Sequence, residues 1–161
     1  TRKEFLIAYM EAAMQAQGLP GRRWFEKTPQ HIYGAFLLAE DFPDARFVVI
    51  QRQPLKVAAS LKEGRVLKEE NVVAAANYWR EAALLSRALQ RSYRKRVLRI
   101  FHSKLISEPR ATLDRVAAFL SLPDPEAFDI GLIRRADRHP ARHLSRQETH
   151  TVKDITQMGE A

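Results

Sequence analysis

Two basic residues stand just before a proline, where an apolar run ends. Lys27 lies two residues before Pro29, and Arg52 lies two residues before Pro54. Proline suits the first position of a helix, so each junction is predicted to be a strand end followed by a helix start. The free N–H groups and the positive dipole end of a helix start favour an anion. Because such junctions meet at one edge of an open parallel sheet, the pattern predicts an anion-binding crevice.

A hydroxyl group accompanies the second junction. Ser60 lies seven residues after Gln53, about two helical turns, so it falls on nearly the same helix face as the turn that carries Arg52. Arg52 and Ser60 could therefore bind one phosphate together. The alternative is that Lys27 and Arg52 are solvated surface charges and that Ser60 is an ordinary helix residue.

Composition limits the class of protein and the charge of its partners. The chain has 161 residues, of which 45% are apolar, and this is enough for one domain with its own core. Its 27 Lys and Arg residues exceed its 19 Asp and Glu residues, and the net charge of +8 favours anionic partners. The absence of cysteine excludes disulfides and thiolate sites and fits a cytoplasmic protein. No apolar run approaches the roughly 18 residues of a membrane span, and no signal peptide is recognised.

Strand-like and helix-like patterns alternate along the chain. Thr1 and Glu4 have the spacing of a capping box, and Thr28 suits an N-cap. Helices are predicted at 2–17, 29–40, from Pro54 through Ser60, at 66–89 and at 109–120, and strands at 22–27, 46–51 and 97–101. The run at 46–51 has little alternation, as expected of a strand covered on both faces. The order predicts a three-layer α/β fold, with a mostly parallel sheet and helices on both faces.

The last part of the chain is rich in arginine. One domain is predicted over residues 1–161, and the tail at 130–161 is expected to pack on it. The tail arginines contact an anionic ligand or form a solvated basic face; they are Arg134, Arg135, Arg138, Arg142 and Arg146. His139 and His143 have the i, i+4 spacing of metal ligands, but Pro140 disfavours the helix that this would need, and no metal is expected.

Four segments carry a resemblance to a known family. They are EKTPQH at 26–31, FPDARFVVIQRQPLKVAAS at 42–60, YW at 78–79 and SEPRATLDRVAAFLSLP at 107–123. In type and order they resemble the motifs of the sulfotransferases that use 3′-phosphoadenosine 5′-phosphosulfate (PAPS), in the bacterial and Golgi-type branch with a Glu-Lys-Thr-Pro motif. HTVKDITQMG at 150–159 is a weaker echo. The resemblance implies a P-loop NTPase-like fold.

The resemblance also implies roles for particular residues. PAPS would be the cosubstrate, and a hydroxyl or amine would accept the sulfuryl group. In the family a turn arginine and a serine eight residues later bind the 3′-phosphate, and these correspond to Arg52 and Ser60. The lysine of the family's motif lies near the transferred group, which implies that Lys27 binds the nucleotide and stabilises charge on the bridging and leaving oxygens.

The acceptor hydroxyl needs a base as well. His31 falls in the first turn of the helix predicted from Pro29, where the positive dipole end favours a neutral imidazole that can accept a proton. Glu26 is the competing candidate. The alternative without catalysis is a partly buried histidine that packs at a helix start.

The family's phosphosulfate cradle has no counterpart in the sequence. That cradle is a strand, a loop rich in Gly, Ser and Thr, and a helix, whose N–H groups hold the 5′-phosphosulfate. The six glycines do not cluster into such a loop, so residues 1–161 are expected to be the C-terminal two-thirds of the family domain, either truncated or a remnant without catalysis. Smaller departures are Gln53 in place of Asp, HSKL at 102–105 in place of an acidic segment, and Ser121 in place of Gly.

The leading prediction is a PAPS-dependent sulfotransferase with a small-molecule or glycan acceptor and no nucleic-acid or membrane partner. The alternative is a non-catalytic module that binds anions or acts as a scaffold. An NTP-handling enzyme is disfavoured because the G-x-x-x-x-G-K-[ST] sequence is absent. Nucleic-acid binding is disfavoured because Trp24, Phe25, Tyr78 and Trp79 fall in core-like patterns.

Overall fold

The structure is a computed structural model that describes residues 1–63, 71–124, 128–131, 133 and 144–157. The chain divides into two compact units, Thr1–Ala45 and Arg46–Ala161. The prediction of a single domain over residues 1–161 stays a prediction. His139, His143 and the arginines at 134, 135, 138 and 142 lie outside the described residues.

The first unit begins with the capped helix that the sequence predicts. Helix α1 spans Arg2–Ala16. Thr1 Oγ1 accepts a hydrogen bond from the Glu4 N–H at 3.2 Å, and the Glu4 carboxylate accepts one from the Thr1 nitrogen at 2.6 Å. The predicted capping box is confirmed. Arg2 donates to Asp41 at 2.7 Å, which lowers the pKa of that carboxyl and ties α1 to the end of the unit's second helix.

The strand predicted at 22–27 is wrong. Residues 22–28 form no regular element. Trp24 packs edge-on against Phe42, with ring centroids 6.4 Å apart, whereas the Phe25 side chain is 87% exposed. The aromatic residues favour an extended backbone, but a strand also needs a partner for its N–H and C=O groups. No strand pairs with this segment in the described part of the unit.

The helix predicted at 29–40 consists of two pieces. A 3₁₀ helix spans Pro29–Gly34, and helix α2 spans Ala35–Asp41. Pro29 begins the first piece as predicted. Thr28 caps it through its backbone carbonyl, which accepts from the His31 N–H at 3.0 Å, and not through its side chain. A six-residue 3₁₀ turn has a weak dipole, so the argument for an anion at this helix start does not hold.

The second unit contains the parallel sheet. Strand β1 spans Phe47–Gln51, strand β2 spans Val97–Phe101, and they pair in parallel from Phe47↔Val97 to Gln51↔Phe101. Helices α3 (Pro54–Glu63) and α4 (Val72–Ser92) connect the strands, as a parallel pair requires. The predicted α/β class with a parallel sheet flanked by helices is confirmed. The prediction that the first strand is covered on both faces is wrong at Ile50, whose side chain is 55% exposed.

The described part of the second unit also contains helices α5 (His102–Ser107), α6 (Pro109–Leu120) and α7 (Arg146–Gln157). Helix α7 packs against α3 and α4. At this contact the buried residues are Ala58, Val72, Ala75, Ala76 and Val152. The small alanine side chains let the helix backbones approach closely, so a compact core forms from few large side chains. Asn71 starts α4 by accepting from the Val73 N–H at 2.9 Å.

A serine ends α6 where the family pattern has a glycine. Ser121 has φ 53° and ψ 48°, the left-handed region that glycine adopts without strain. Arg46 compensates in part, since its guanidinium donates to Ser121 Oγ at 2.9 Å and to the Phe119 carbonyl. Serine is therefore accommodated at this left-handed position, where the Arg46 contacts offset part of the backbone strain.

An ion pair attaches α7 to α3. Ser145 and Glu148 form a capping box: the Ser145 N–H donates to Glu148 Oε2 at 2.7 Å, and the Glu148 N–H donates to Ser145 Oγ at 3.2 Å. Lys62 donates to the other Glu148 oxygen at 2.7 Å. These bonds, with Lys62 the largest cause, lower the pKa of Glu148 to about 2. The start of α7 is thus fixed on α3 by a carboxylate that must stay ionised.

We expect the stability of the second unit to depend on pH through Glu148. The folded pKa of about 2 lies below the carboxyl's usual 4.5, so the unfolded chain binds more protons between these values. The contribution is complete above pH 4.5 and is lost as the pH falls toward 2. Thermal unfolding should show a gap between wild type and Glu148→Gln that closes on acidification. Asp154→Asn, on the same helix, is the matched control, and a gap that persists unchanged at pH 2 contradicts the expectation.

Candidate functional site

A cleft lies at the carboxyl ends of the two strands. It has a volume of about 450 Å³. Gln51 and Phe101, the last residues of β1 and β2, both line it. The remaining lining residues come from the turn after β1, from the start of α3, from α4 and from α7: Arg52, Gln53, Pro54, Leu55, Trp79, Lys153, Thr156 and Gln157. The structure therefore has a crevice at the sheet edge where parallel sheets bind ligands.

Arg52 lies in this cleft, in the turn between β1 and α3. The Trp79 indole N–H donates to the Arg52 carbonyl at 2.8 Å, so α4 fixes the backbone of the turn. The buried Arg52 Nε has no hydrogen-bond partner among the residues that the structure describes. The same is true of Arg80 and Arg99, but neither of these lines the cleft. A buried donor without an acceptor is costly, but its presence at Arg80 and Arg99 as well means that it does not mark the cleft in particular.

The start of α3 adds backbone donors at the same place. Pro54 is its first residue, as the sequence predicts, and the Val57 N–H donates to the Gln53 carbonyl at 3.1 Å. The earlier N–H groups of a helix have no acceptor within it and face an anion favourably. Ser60 lies in the second turn of α3 and is exposed, and it is not among the residues that line the cleft.

A partly buried arginine supports the cleft from the sheet. Arg99 of β2 donates to the Gln51 side chain and, at 3.3 Å, to Gln90 of α4. Burial lowers the pKa of Arg99, and repulsion from Arg87 adds to this effect. The guanidinium holds the Gln51 side chain at the cleft wall.

The candidate catalytic residues lie together in the first unit. Glu26 Oε2 is 2.5 Å from His31 Nδ1, and Glu26 Oε1 accepts from the Thr28 hydroxyl at 2.5 Å. The His31 and Glu26 side chains are 48% and 30% exposed, so the pair is open to solvent and not a packed core histidine. A carboxylate on Nδ1 selects the tautomer whose Nε2 carries the lone pair. Lys27, between Glu26 and Thr28, is exposed.

Lys153 and Trp79 are among the lining residues that the sequence does not predict for the site. Lys153 comes from α7 and Trp79 from α4. Trp79 belongs to the YW segment but was assigned to the core. It is only partly buried, and its indole N–H is used at the cleft. Lys153 lies in the weakly matching segment at 150–159, where the sequence offers no distinct signal. The signal available for α7 was the Ser-x-x-Glu spacing at 145–148, which is that of a capping box.

The parallel sheet, with a basic cleft at the carboxyl ends of its strands, is the arrangement of α/β proteins that bind ligands at this edge. The model of the sulfotransferase family matches residues 1–126. The chain therefore belongs to the sulfotransferase family, as its motifs predict, and its general chemistry is sulfuryl transfer. No curated protein and no solved structure matches it significantly. In the described part of the chain, no helix has the length and apolarity needed to cross a membrane.

Proposed function

We propose that this protein transfers a sulfuryl group from PAPS to a hydroxyl or amine of a small-molecule or glycan acceptor. The observation that carries the proposal is Arg52, a cation that lines the cleft at the strand ends beside the first turn of α3. Membership of the sulfotransferase family supports the same chemistry, because the family generally uses this donor.

The residues of the cleft fit a nucleotide phosphate. Arg52 would bind the 3′-phosphate with its guanidinium, which matches phosphate oxygens in a fork geometry. The first N–H groups of α3 would point at the same group. Ser60 remains a candidate for a further hydroxyl contact on α3. PAPS, when bound, supplies an activated sulfuryl group on a phosphate leaving group.

The proposed transfer needs a proton acceptor and a cation. His31, oriented by Glu26, accepts the proton of the acceptor hydroxyl as that oxygen forms its bond to sulfur. Lys27 stabilises the charge that builds up on the bridging oxygen as the bond between sulfur and that phosphate oxygen breaks. The products are the sulfated acceptor and adenosine 3′,5′-bisphosphate. The Glu26–His31 distance of 2.5 Å supports this division of roles.

Calorimetric titration of the whole protein with adenosine 3′,5′-bisphosphate tests the nucleotide site. We expect binding by wild type and a roughly 30-fold weaker affinity for Arg52→Gln, since a hydrogen-bonded charge contributes about 2 kcal/mol. Arg110→Gln removes a partly exposed arginine of α6 that does not line the cleft, and it is the matched control.

No binding of this nucleotide by wild type overturns the proposal. Binding by wild type without sulfation of any hydroxyl or amine acceptor would favour a non-catalytic anion-binding module in its place. If wild type and Arg52→Gln bind the nucleotide equally well, Arg52 does not contact it, but the protein still binds the nucleotide.

A further inference from the structure

A second cation lines the cleft from a different part of the chain. Lys153 belongs to α7, and α7 lies beyond residues 1–126, the range that the family model matches. The Lys153 residue is exposed. The cleft lining contains Arg52 and Lys153 and, within the described residues, no aspartate or glutamate. The site thus has two positive charges and no carboxylate to neutralise them.

The position of Lys153 is fixed although its side chain is exposed. Its neighbour Val152 is fully buried against α3 and α4, and Thr156, one turn later, is buried with its hydroxyl bonded to the Val152 carbonyl at 2.8 Å. The Lys62–Glu148 pair and the Ser145 cap hold the start of the same helix. Packing of α7 therefore keeps the Lys153 backbone beside the cleft. The ammonium group does not need a partner of its own for this.

We infer that Lys153 is a second phosphate-binding residue, so that α7 completes the site that Arg52 and α3 begin. This inference rests on the proposed function. A phosphate monoester carries between one and two negative charges near neutral pH, and Arg52 alone supplies one positive charge. Lysine acts as a point charge on a flexible stem, so it can reach a phosphate oxygen without the alignment that arginine needs.

Lys153 and Arg52 together should also make the cleft selective for nucleotides that carry a doubly charged 3′-phosphate. With both cations present, a nucleotide that carries the 3′-phosphate is bound more tightly than one that lacks it. Adenosine 5′-monophosphate lacks that group but keeps the base, the ribose and the 5′-phosphate. The difference in affinity between adenosine 3′,5′-bisphosphate and adenosine 5′-monophosphate therefore measures the contact directly.

Titration of the whole protein with both nucleotides tests Lys153. We expect Lys153→Met to weaken binding of the bisphosphate about tenfold and to change binding of the monophosphate less than about twofold. Lys153→Glu should weaken the bisphosphate further, about 100-fold, because the introduced charge repels the phosphate. Lys153→Arg should restore most of the affinity. Lys95→Met, an exposed lysine outside the cleft lining and outside α3, is the matched control.

The outcomes separate this inference from the proposed function. If wild type binds the bisphosphate, Arg52→Gln weakens it and Lys153→Met does not, the inference is wrong and the nucleotide site remains. If Lys153→Met weakens both nucleotides equally, Lys153 does not contact the 3′-phosphate and the inference is also wrong. If wild type binds neither nucleotide, both ideas fail. Unchanged thermal unfolding of Lys153→Met and Lys153→Glu shows that the losses arise at the site and not from unfolding of α7.

Discussion

Replacing Lys27 by alanine is expected to lower kcat for sulfuryl transfer by about 10²–10³-fold, while the affinity for adenosine 3′,5′-bisphosphate changes only a few fold. Lys27 is exposed, and the structure gives it no ion pair among the described residues. The change therefore removes a charge without disturbing a packed core. A cation that acts mainly on charge developing in the transition state lowers kcat when it is lost and has little effect on ground-state binding.

The measurement is steady-state kinetics alongside nucleotide titration. Lys27→Arg should keep part of the activity, since the charge is retained and only its position differs. Arg22→Ala removes another exposed cation of the same irregular segment and is the control for a general loss of positive charge. A Lys27→Ala protein with unchanged kcat would exclude Lys27 from the chemical step.

Replacing His31 by asparagine is expected to lower kcat by about 10²–10⁴-fold, the range for loss of a general base. Asparagine keeps a polar side chain next to Glu26 but cannot take a proton from the acceptor. Both side chains of the pair are partly exposed, so folding should be unaffected. The pH dependence of kcat should also change in the variant, which a purely structural role of His31 would not produce.

The same experiment decides between His31 and Glu26. If His31 is the base and Glu26 orients it, Glu26→Gln should cost less, about tenfold, and the double variant should be little worse than His31→Asn alone. If Glu26 is the base, Glu26→Gln should be the more damaging change. Thr28→Val, which removes the hydroxyl that donates to Glu26, should resemble a mild form of Glu26→Gln.

Elements with strong local signals were predicted closely from the sequence. Strand β2 at 97–101 and helix α6 at 109–120 have the predicted bounds. An apolar run rich in β-branched residues defines the first, and Pro109 at the first helical position defines the start of the second. The Thr1–Glu4 capping box and the start of α3 at Pro54 belong to the same class, because their geometry depends on residues within one or two turns.

The misses depended on contacts that a local pattern does not contain. Residues 22–27 have the composition of a strand, but strand formation depends on a partner elsewhere in the chain. Phe25 was expected in the core for the same reason and is exposed. Helical geometry predicts that Ser60 shares a face with the turn of Arg52, but Ser60 is not among the residues that line the cleft, and its phosphate contact stays a prediction. Lys153 enters the site only because Val152 and Glu148 seat α7 on α3.

The parallel pairing of β1 and β2 also sets when the cleft forms during folding. The Arg99 and Gln51 side chains touch although they are 48 positions apart. Helices form from local contacts, whereas such a distant pairing must close a long loop and is slow. Gln51 and Phe101, the ends of the two strands, line the cleft, so a chain with folded helices and an open sheet has no cleft. A ligand bound there therefore acts on the native state alone and opposes unfolding of the whole sheet-containing unit, not merely fraying of one helix.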